Sequence, residues 1–279
     1  MVRIEEQRDR LLALIGQYGS CAVAFSGGID STVVAKAAQL ALGEQAVAVT
    51  GTSASLAAGE LDEARAVAQL IGIRHEVIAT EEFANPDYLR NDGQRCYHCK
   101  TELYTRIDEL CARFQVRVVA NGANLDDLGD YRPGMRAASE HAVASPLAEC
   151  GLRKDDVRAL AAHWQLPTWD KPAMPCLSSR VAYGEEVTPD RLWMIDQAEH
   201  YLREQGLRTV RVRYHKGNMA RLEVPAEALA RLCEPTTREP LVARLKELGF
   251  AFVTLDLEGF RSGSLNALVS IDQLRRPNA

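Results

Sequence analysis

The six residues Ser26-Gly27-Gly28-Ile29-Asp30-Ser31 constrain this chain more than any others, because of what flanks them. Ahead of them lies SCAVAF (20–25), a short apolar run of strand character. Behind them Val33, Val34, Ala37, Ala38 and Ala41 share one face of a helix. A glycine pair between a strand and a helix is a setting for oxyanion binding. Glycine opens backbone conformations closed to other residues, neighbouring N–H groups converge, and the helix turns its positive end to the same place. Ser26 and Ser31 add hydroxyls, so the loop is expected to cradle a pyrophosphate. Asp30 would repel phosphates unaided, and its presence predicts a Mg²⁺ ion between carboxylate and phosphate oxygens. No lysine follows the glycines, which sets the loop apart from the GxxxxGK[ST] pattern of γ-phosphoryl transfer.

The strand–helix alternation continues through QAVAVT (45–50), a helix from about Glu60 to Ile71, RHEVIAT (74–80), a helix from about Lys100 to Phe114 and VRVVAN (116–121). Such alternation predicts an α/β fold with a parallel sheet covered on both faces. A fifth strand is expected at AVASPL (142–147), with a helix after it over Lys154 to Trp164. Residues 166–186 carry Pro167, Pro172, Pro175 and Gly184 without periodicity and read as a connecting loop. Thr188 and Pro189 then open a helix, followed by the strands RTVRVRYH and NMARLEV, two helical stretches and AFVTLDLE. The expected domains are 1–165, the connection 166–186, and a smaller α/β unit over 187–279.

With 47% apolar and 25% charged residues the 279-residue chain is of ordinary globular composition, and its net charge of −5 disfavours broad attraction to nucleic acid. The N-terminal residues lack the apolar core of a signal peptide and no segment is apolar enough to span a membrane, so the expected address is the cytoplasm, with no membrane partner. Seven cysteines, an odd number, then point to metal, redox or nucleophilic roles rather than a disulfide framework.

Cys96 and Cys99 form a CxxC in RCYHCK, open to a redox pair, half a zinc site with His98, or part of an iron–sulfur site. Cys176 follows Pro175 in the connecting loop, with Arg180 four residues on; a nearby guanidinium makes it a candidate nucleophile. Cys21, Cys111, Cys150 and Cys233 are expected to be small buried hydrophobes. A second acidic loop, GANLDDLGDYRPG (122–134), leaves the carboxyl end of a strand at the same sheet edge as the glycine pair. There Asp126 and Asp127 are expected to help hold Mg²⁺, or else to cap a helix, and Arg132 to reach an anion.

The SGGIDS loop resembles that of the PP-loop ATP pyrophosphatase superfamily (adenine nucleotide alpha hydrolase-like), which splits ATP into AMP and pyrophosphate. That likeness implies nucleotide contacts at Ala24, Thr50 and Gly122. The ordered set AFSGGIDST, RCYHCK, GANLDDLGDYRPG and DKPAMPCLSSRVAYGEEVT, over nearly the whole chain, resembles the LarE family of sulfur-inserting proteins. The resemblance implies that ATP and Mg²⁺ activate the carboxylates of pyridinium-3,5-dicarboxylate mononucleotide and that sulfur then replaces an oxygen. Cys176 matches the family's sulfur-handling cysteine, which in one branch gives up its own sulfur. In members with two further cysteines a [4Fe–4S] cluster is implied, here on Cys96, Cys99 and Cys176, reloaded by sulfide or a cysteine desulfurase.

Arg211 and Arg213, two apart on a strand, project from one face and suit the substrate phosphate. The resemblance adds Glu199 and Glu223 as acidic, metal-binding residues near the same cleft, and a hexameric homo-oligomer. Competing functions are a PP-loop tRNA thiolase, an ATP-dependent amidating synthetase such as GMP or NAD synthetase, and a non-enzymatic nucleotide-sensing module.

Overall fold

A computed structural model describes residues 2–129, 133–172, 174–261 and 264–265. In chain order the elements are α1 (Val2–Gly16), β1 (Cys21–Ala24), α2 (Ile29–Leu42), β2 (Ala46–Thr52), α3 (Glu60–Ile71), β3 (Arg74–Ala79), α4 (Pro86–Leu89), α5 (Arg95–Phe114) and β4 (Val118–Ala120). They continue with α6 (Pro133–Glu140), α7 (Pro146–Glu149), α8 (Lys154–His163), α9 (Pro189–Glu204), β5 (Arg211–His215), β6 (Met219–Glu223), α10 (Leu229–Cys233), α11 (Pro235–Glu247) and β7 (Phe252–Leu255). The chain forms two units, Met1–Glu82 with Cys96–Met174, and Phe83–Arg95 with Pro175–Ala279. No helix among the described residues is long and apolar enough to cross a membrane.

The first unit is built on a parallel sheet of order β3-β2-β1-β4. Side chains alternate across it: Cys21, Val23, Ala46 and Ala48 join a core with α1, α2, α3 and α8, whereas Ala22, Val47, Val49 and Val119 pack with α5 and α6. Strand order reverses between β1 and β4, the place on the sheet's carboxyl edge where ligand sites of open α/β sheets are found. Two loops leave these strands there. The glycine pair and the Gly122 loop are those two loops.

Two elements differ from expectation. AVASPL makes a single parallel bridge, Ala120 to Ala144, because Pro146 has no N–H to give a ladder and instead starts α7 at its first position. Helix α5 begins at Arg95 rather than near Lys100, which puts the CxxC in its first turn.

The second unit carries a sheet of order β5-β6-β7, β5 and β6 antiparallel and β6 and β7 parallel. Helix α9 opens as its sequence indicates, with Thr188 Oγ1 accepting from the Arg191 amide. The division between units falls at Met174–Pro175, inside the 166–186 connection, and the second unit also takes Phe83–Arg95. That segment is bound by Val187 N–H to Leu89 O (2.9 Å) and Gly184 N–H to Asn91 O (3.2 Å).

Asp156 ties the start of α8 to α1, accepting from the Arg153 amide (3.0 Å), Gln7 Nε2 (2.9 Å) and Arg3 Nη2 (3.1 Å). Partial burial opposes its charge, but these donors prevail and hold the carboxyl below its ordinary pKa. A depressed carboxylate contributes stability above its unfolded pKa, about 4, and loses it as pH falls through the lower folded value. Asp156→Asn should therefore lower the urea midpoint at pH 7, and the gap between variant and wild type should shrink on acidification below about pH 4.

Candidate functional site

Helix α2 begins without a side-chain cap: Gly28 is its N-cap residue and makes no side-chain cap bond. The amides of its first turn therefore remain open to an anion. The loop hydroxyls are instead spent on the loop itself. Ser31 Oγ donates to Gly28 O (3.1 Å) and accepts from the Ser26 amide (3.2 Å), which leaves Ser26 Oγ as the donor in their mutual 3.1 Å bond. Gly27 has φ +68°, and a Cβ there would stand 3.2 Å from Ala64. Gly122 lets the loop after β4 pass against the turn, since a Cβ on it would lie 2.7 Å from Ser31 N. This preformed, glycine-lined cradle fits a nucleotide's phosphates.

Ala24 ends β1 opposite Val49, and Thr50, on the neighbouring strand, is buried. The Thr50 hydroxyl donates to Phe25 O (2.8 Å), so His75 Nε2, also at 2.8 Å, must be the donor to it. Thr50 thereby fixes the strand end that delivers Ser26.

Asp30 lies in the first turn of α2, with Oδ2 2.5 Å from Lys154 Nζ and Oδ1 accepting from Asn124 Nδ2 at 3.2 Å. Asp126 accepts from the Lys154 amide (2.9 Å) and from Arg153 Nη1 (2.6 Å), capping α8. The Lys154 amide, ahead of Arg153, holds the Asp126 carboxyl below its ordinary range. Asp127 accepts from the Asn124 amide at 3.0 Å, closing its own turn. Of the three aspartates, only Asp30 sits on the phosphate loop; Arg132 is outside the described residues.

All seven cysteines are thiols. Cys21, Cys111 and Cys150 are buried as expected, and burial raises all three. Cys233 is exposed, a correction that follows from its place at the end of the short helix α10. Cys96 is exposed and Cys99 half-buried, three residues apart on α5 in the first unit. Cys176 belongs to the second unit and is also exposed. Among the described residues no group of three or more His, Cys, Asp or Glu gathers as a metal site.

The backbone around Cys176 is held from below by Arg180, which is fully buried. Its Nη1 donates to the carbonyls of Pro175 and Cys176, the latter at 2.9 Å, while Nε donates to Glu199 at 3.0 Å. The guanidinium thus addresses the peptide carbonyls of the loop, which makes Arg180 a positioning residue. The same loop is fixed by the 83–95 segment: Tyr88 Oη meets Ser178 Oγ at 2.7 Å, and Arg95 Nη1 donates to Ser178 O at 2.7 Å. Asn91 Nδ2 reaches the carbonyls of Ala182 and Glu185, both at 2.9 Å.

Glu199 and Glu223 are both fully buried and saturated. Glu199 accepts from Arg180, Arg203 and the Val212 amide; Glu223 accepts from Arg213, Arg221 and Ser264. Their oxygens serve arginines, so the geometry gives these residues the part of counter-ions in place of the expected metal ligation. Arg211 and Arg213 do share one strand face and are both buried. Arg213 is paired with Glu223 at 2.8 Å, while Arg211 donates to Val210 O at 2.9 Å and its pKa is brought down to about 10 by burial and the nearby Arg180 charge. Five arginines (180, 203, 211, 213 and 221) lie about Glu199 and Glu223, with Asp256 as a further partner of Arg221, which leaves an excess of positive charge suited to an anion.

Several of these residues lay beyond sequence reasoning. Lys154 and Asn124 on Asp30, and Tyr88, Asn91 and Arg95 on the cysteine loop, all act across separations of 80 residues or more. The only available signals were the positions of Lys154 at a helix start and Asn124 inside a loop already singled out.

Gly122→Ala should cost roughly 1–3 kcal/mol through overpacking against Ser31, and should weaken nucleotide binding, measurable together by thermal melts and titration. Arg180→Met should be more damaging, about 3–5 kcal/mol, because Glu199 loses a buried partner; a denaturant series on that variant checks it.

A family model described as NAD synthase matches residues 11–119, the stretch that holds the cradle. The chain is 45% identical to an uncharacterized protein of Synechocystis sp., covering 96% of this chain and 99% of that one. It is 38% identical to the pyridinium-3,5-bisthiocarboxylic acid mononucleotide synthase of Lactiplantibacillus plantarum, covering 98% and 99% of the two chains. A weaker likeness, 26% over 72% of this chain and 68% of the other, is to one subunit of the glutamine-hydrolyzing GMP synthase of Archaeoglobus fulgidus. The 38% identity over nearly the whole of both chains, on a parallel sheet bearing the SGGIDS cradle, makes this chain a member of the LarE family within the PP-loop superfamily.

Proposed function

We propose that the chain is an ATP-dependent sulfurtransferase that adenylylates the carboxylates of pyridinium-3,5-dicarboxylate mononucleotide and converts them to thiocarboxylates, with release of AMP and pyrophosphate. The observation that carries the reading is the exposed thiol of Cys176 on a backbone anchored by buried Arg180. An enzyme that only amidates has no use for such a thiol. The likeness to a bisthiocarboxylic acid mononucleotide synthase supports the substrate class.

Ser26, Gly27, Gly28, Ser31 and the first-turn amides of α2 would hold the nucleotide's phosphates, with Gly122 keeping the approach open. Asp30 would take part in holding Mg²⁺, which when bound offsets phosphate charge. Arg211 and Arg213 would receive the phosphate of the mononucleotide. Cys176, as thiolate, would attack the adenylylated carboxyl carbon and expel AMP, leaving a thioester. Loss of the Cys176 Cα proton with cleavage of its Cβ–S bond then leaves the sulfur on the substrate and a dehydroalanine in the chain.

A second sulfur source, a [4Fe–4S] cluster on Cys96, Cys99 and Cys176, is favoured by the exposed Cys96 and half-buried Cys99 three residues apart on α5.

Cys176→Ala should keep substrate-dependent pyrophosphate release within about twofold of wild type while forming no thiocarboxylate. Mass spectrometry of the wild type after turnover should find the elements of hydrogen sulfide missing at Cys176. An intact Cys176 in a brown, iron-containing anaerobic preparation would transfer the assignment to the cluster.

A further inference from the structure

The ion pair between Lys154 and Asp30 has no structural duty that would explain it. Both side chains are partly exposed, 31% and 26%, and α8 is already fastened without them through the two carboxylates at its N-terminus, Asp126 and Asp156. Asp126 does more than cap: by binding the Lys154 amide and Arg153 together it fixes where residue 154 leaves the helix. The lysine so held reaches the one carboxylate on the phosphate loop, and Asn124 holds the other oxygen of that carboxylate. A cation poised beside uncapped helix amides, on the same side chain that is expected to meet Mg²⁺, has two partners to choose between.

On the reading that the cradle binds a nucleotide, we infer that Lys154 is a mobile phosphate-binding residue for which Asp30 is the resting counter-ion. Without nucleotide, Lys154 offsets the Asp30 charge that would otherwise lie bare beside the loop. With nucleotide bound, Asp30 would be released to help hold Mg²⁺, and the Lys154 ammonium would move to the phosphates that leave as pyrophosphate. Lysine suits this exchange as a compact charge on a flexible stem, with three donors and no fixed plane. Asp126 and Asn124 are positioning residues in this scheme, the first for the lysine and the second for Asp30.

The test uses inorganic pyrophosphate and AMP as separate titrants of the full chain by calorimetry. With Mg²⁺ present, Lys154→Met should weaken pyrophosphate binding roughly tenfold or more, the worth of one charge-assisted hydrogen bond, and leave AMP within about twofold. Lys154→Arg should restore part of the loss. In EDTA, Asp30→Asn should tighten pyrophosphate binding by releasing the lysine, and this gain should vanish in Asp30→Asn/Lys154→Met. A gain that persists in the double variant reports only the removal of a negative charge and overturns the exchange. Equal losses for AMP and pyrophosphate in Lys154→Met would reduce the lysine to a packing role, and no loss for either would remove it from the site. If the wild type binds neither titrant nor ATP, the nucleotide reading itself falls; if it binds all three and Lys154→Met matches it, only the lysine's role does.

Discussion

Helix α2 cannot be capped by its own sequence and also cannot move. Ile29, Ser31, Thr32, Val33, Val34, Ala35, Ala37 and Ala38 are all buried, so the helix is enclosed on nearly every side by the sheet, α1, α3 and α8. Its open amides are consequently fixed in space before any ligand arrives. The small residues along it, four of them alanine or serine, are what let the neighbours approach closely enough. Gly27 against Ala64 and Gly122 against Ser31 extend the same logic to the loops, where even a methyl group would intrude. A rigid, unsatisfied helix end is costly alone and becomes useful only with an anion to complete it.

The second unit solves a different problem. It buries Arg180, Arg211 and Arg213 beside Glu199 and Glu223, with the partly exposed Arg203 and Arg221 completing the set, and buried charge is tolerated only where each ion finds partners. Glu199 and Glu223 supply them, while burial first, and the nearby Arg180 charge second, lower the pKa of Arg211. Arg180 links this charged interior to the cysteine loop, so the position of the Cys176 backbone depends on electrostatics several bonds away.

Much of the first unit could be read from sequence because its signals are local. The apolar strand of residues 20–25, the glycine pair and the helical spacing of Val33, Val34, Ala37 and Ala38 each lie within a few residues, and Thr188 announced its helix in the same way. Where a signal was ambiguous, a single residue decided: AVASPL has the composition of a strand, but Pro146 turns it into a helix start. The candidate site was legible in its residue types and less so in their roles. Asp126 and Glu199 carry the charge that metals want, yet arginines and amides 4 to 28 residues away take up their oxygens, and nothing local in the sequence says so. No periodicity records that Lys154 meets Asp30, since the two are 124 residues apart.

The chain passes between its two units three times, and the thirteen-residue visit at Phe83–Arg95 comes long before the rest of the second unit has been made. Asn91 adopts a left-handed backbone, φ +53°, to aim its amide at carbonyls that follow it by 90 residues or more. On a ribosome adding about 5–20 residues per second, that amide waits several seconds for its acceptors. During the interval Phe83–Arg95 has none of the later partners it bonds in the folded chain, Gly184 and Val187 among them, so the backbone groups that meet them are left to solvent until residues about 90 positions on have been made.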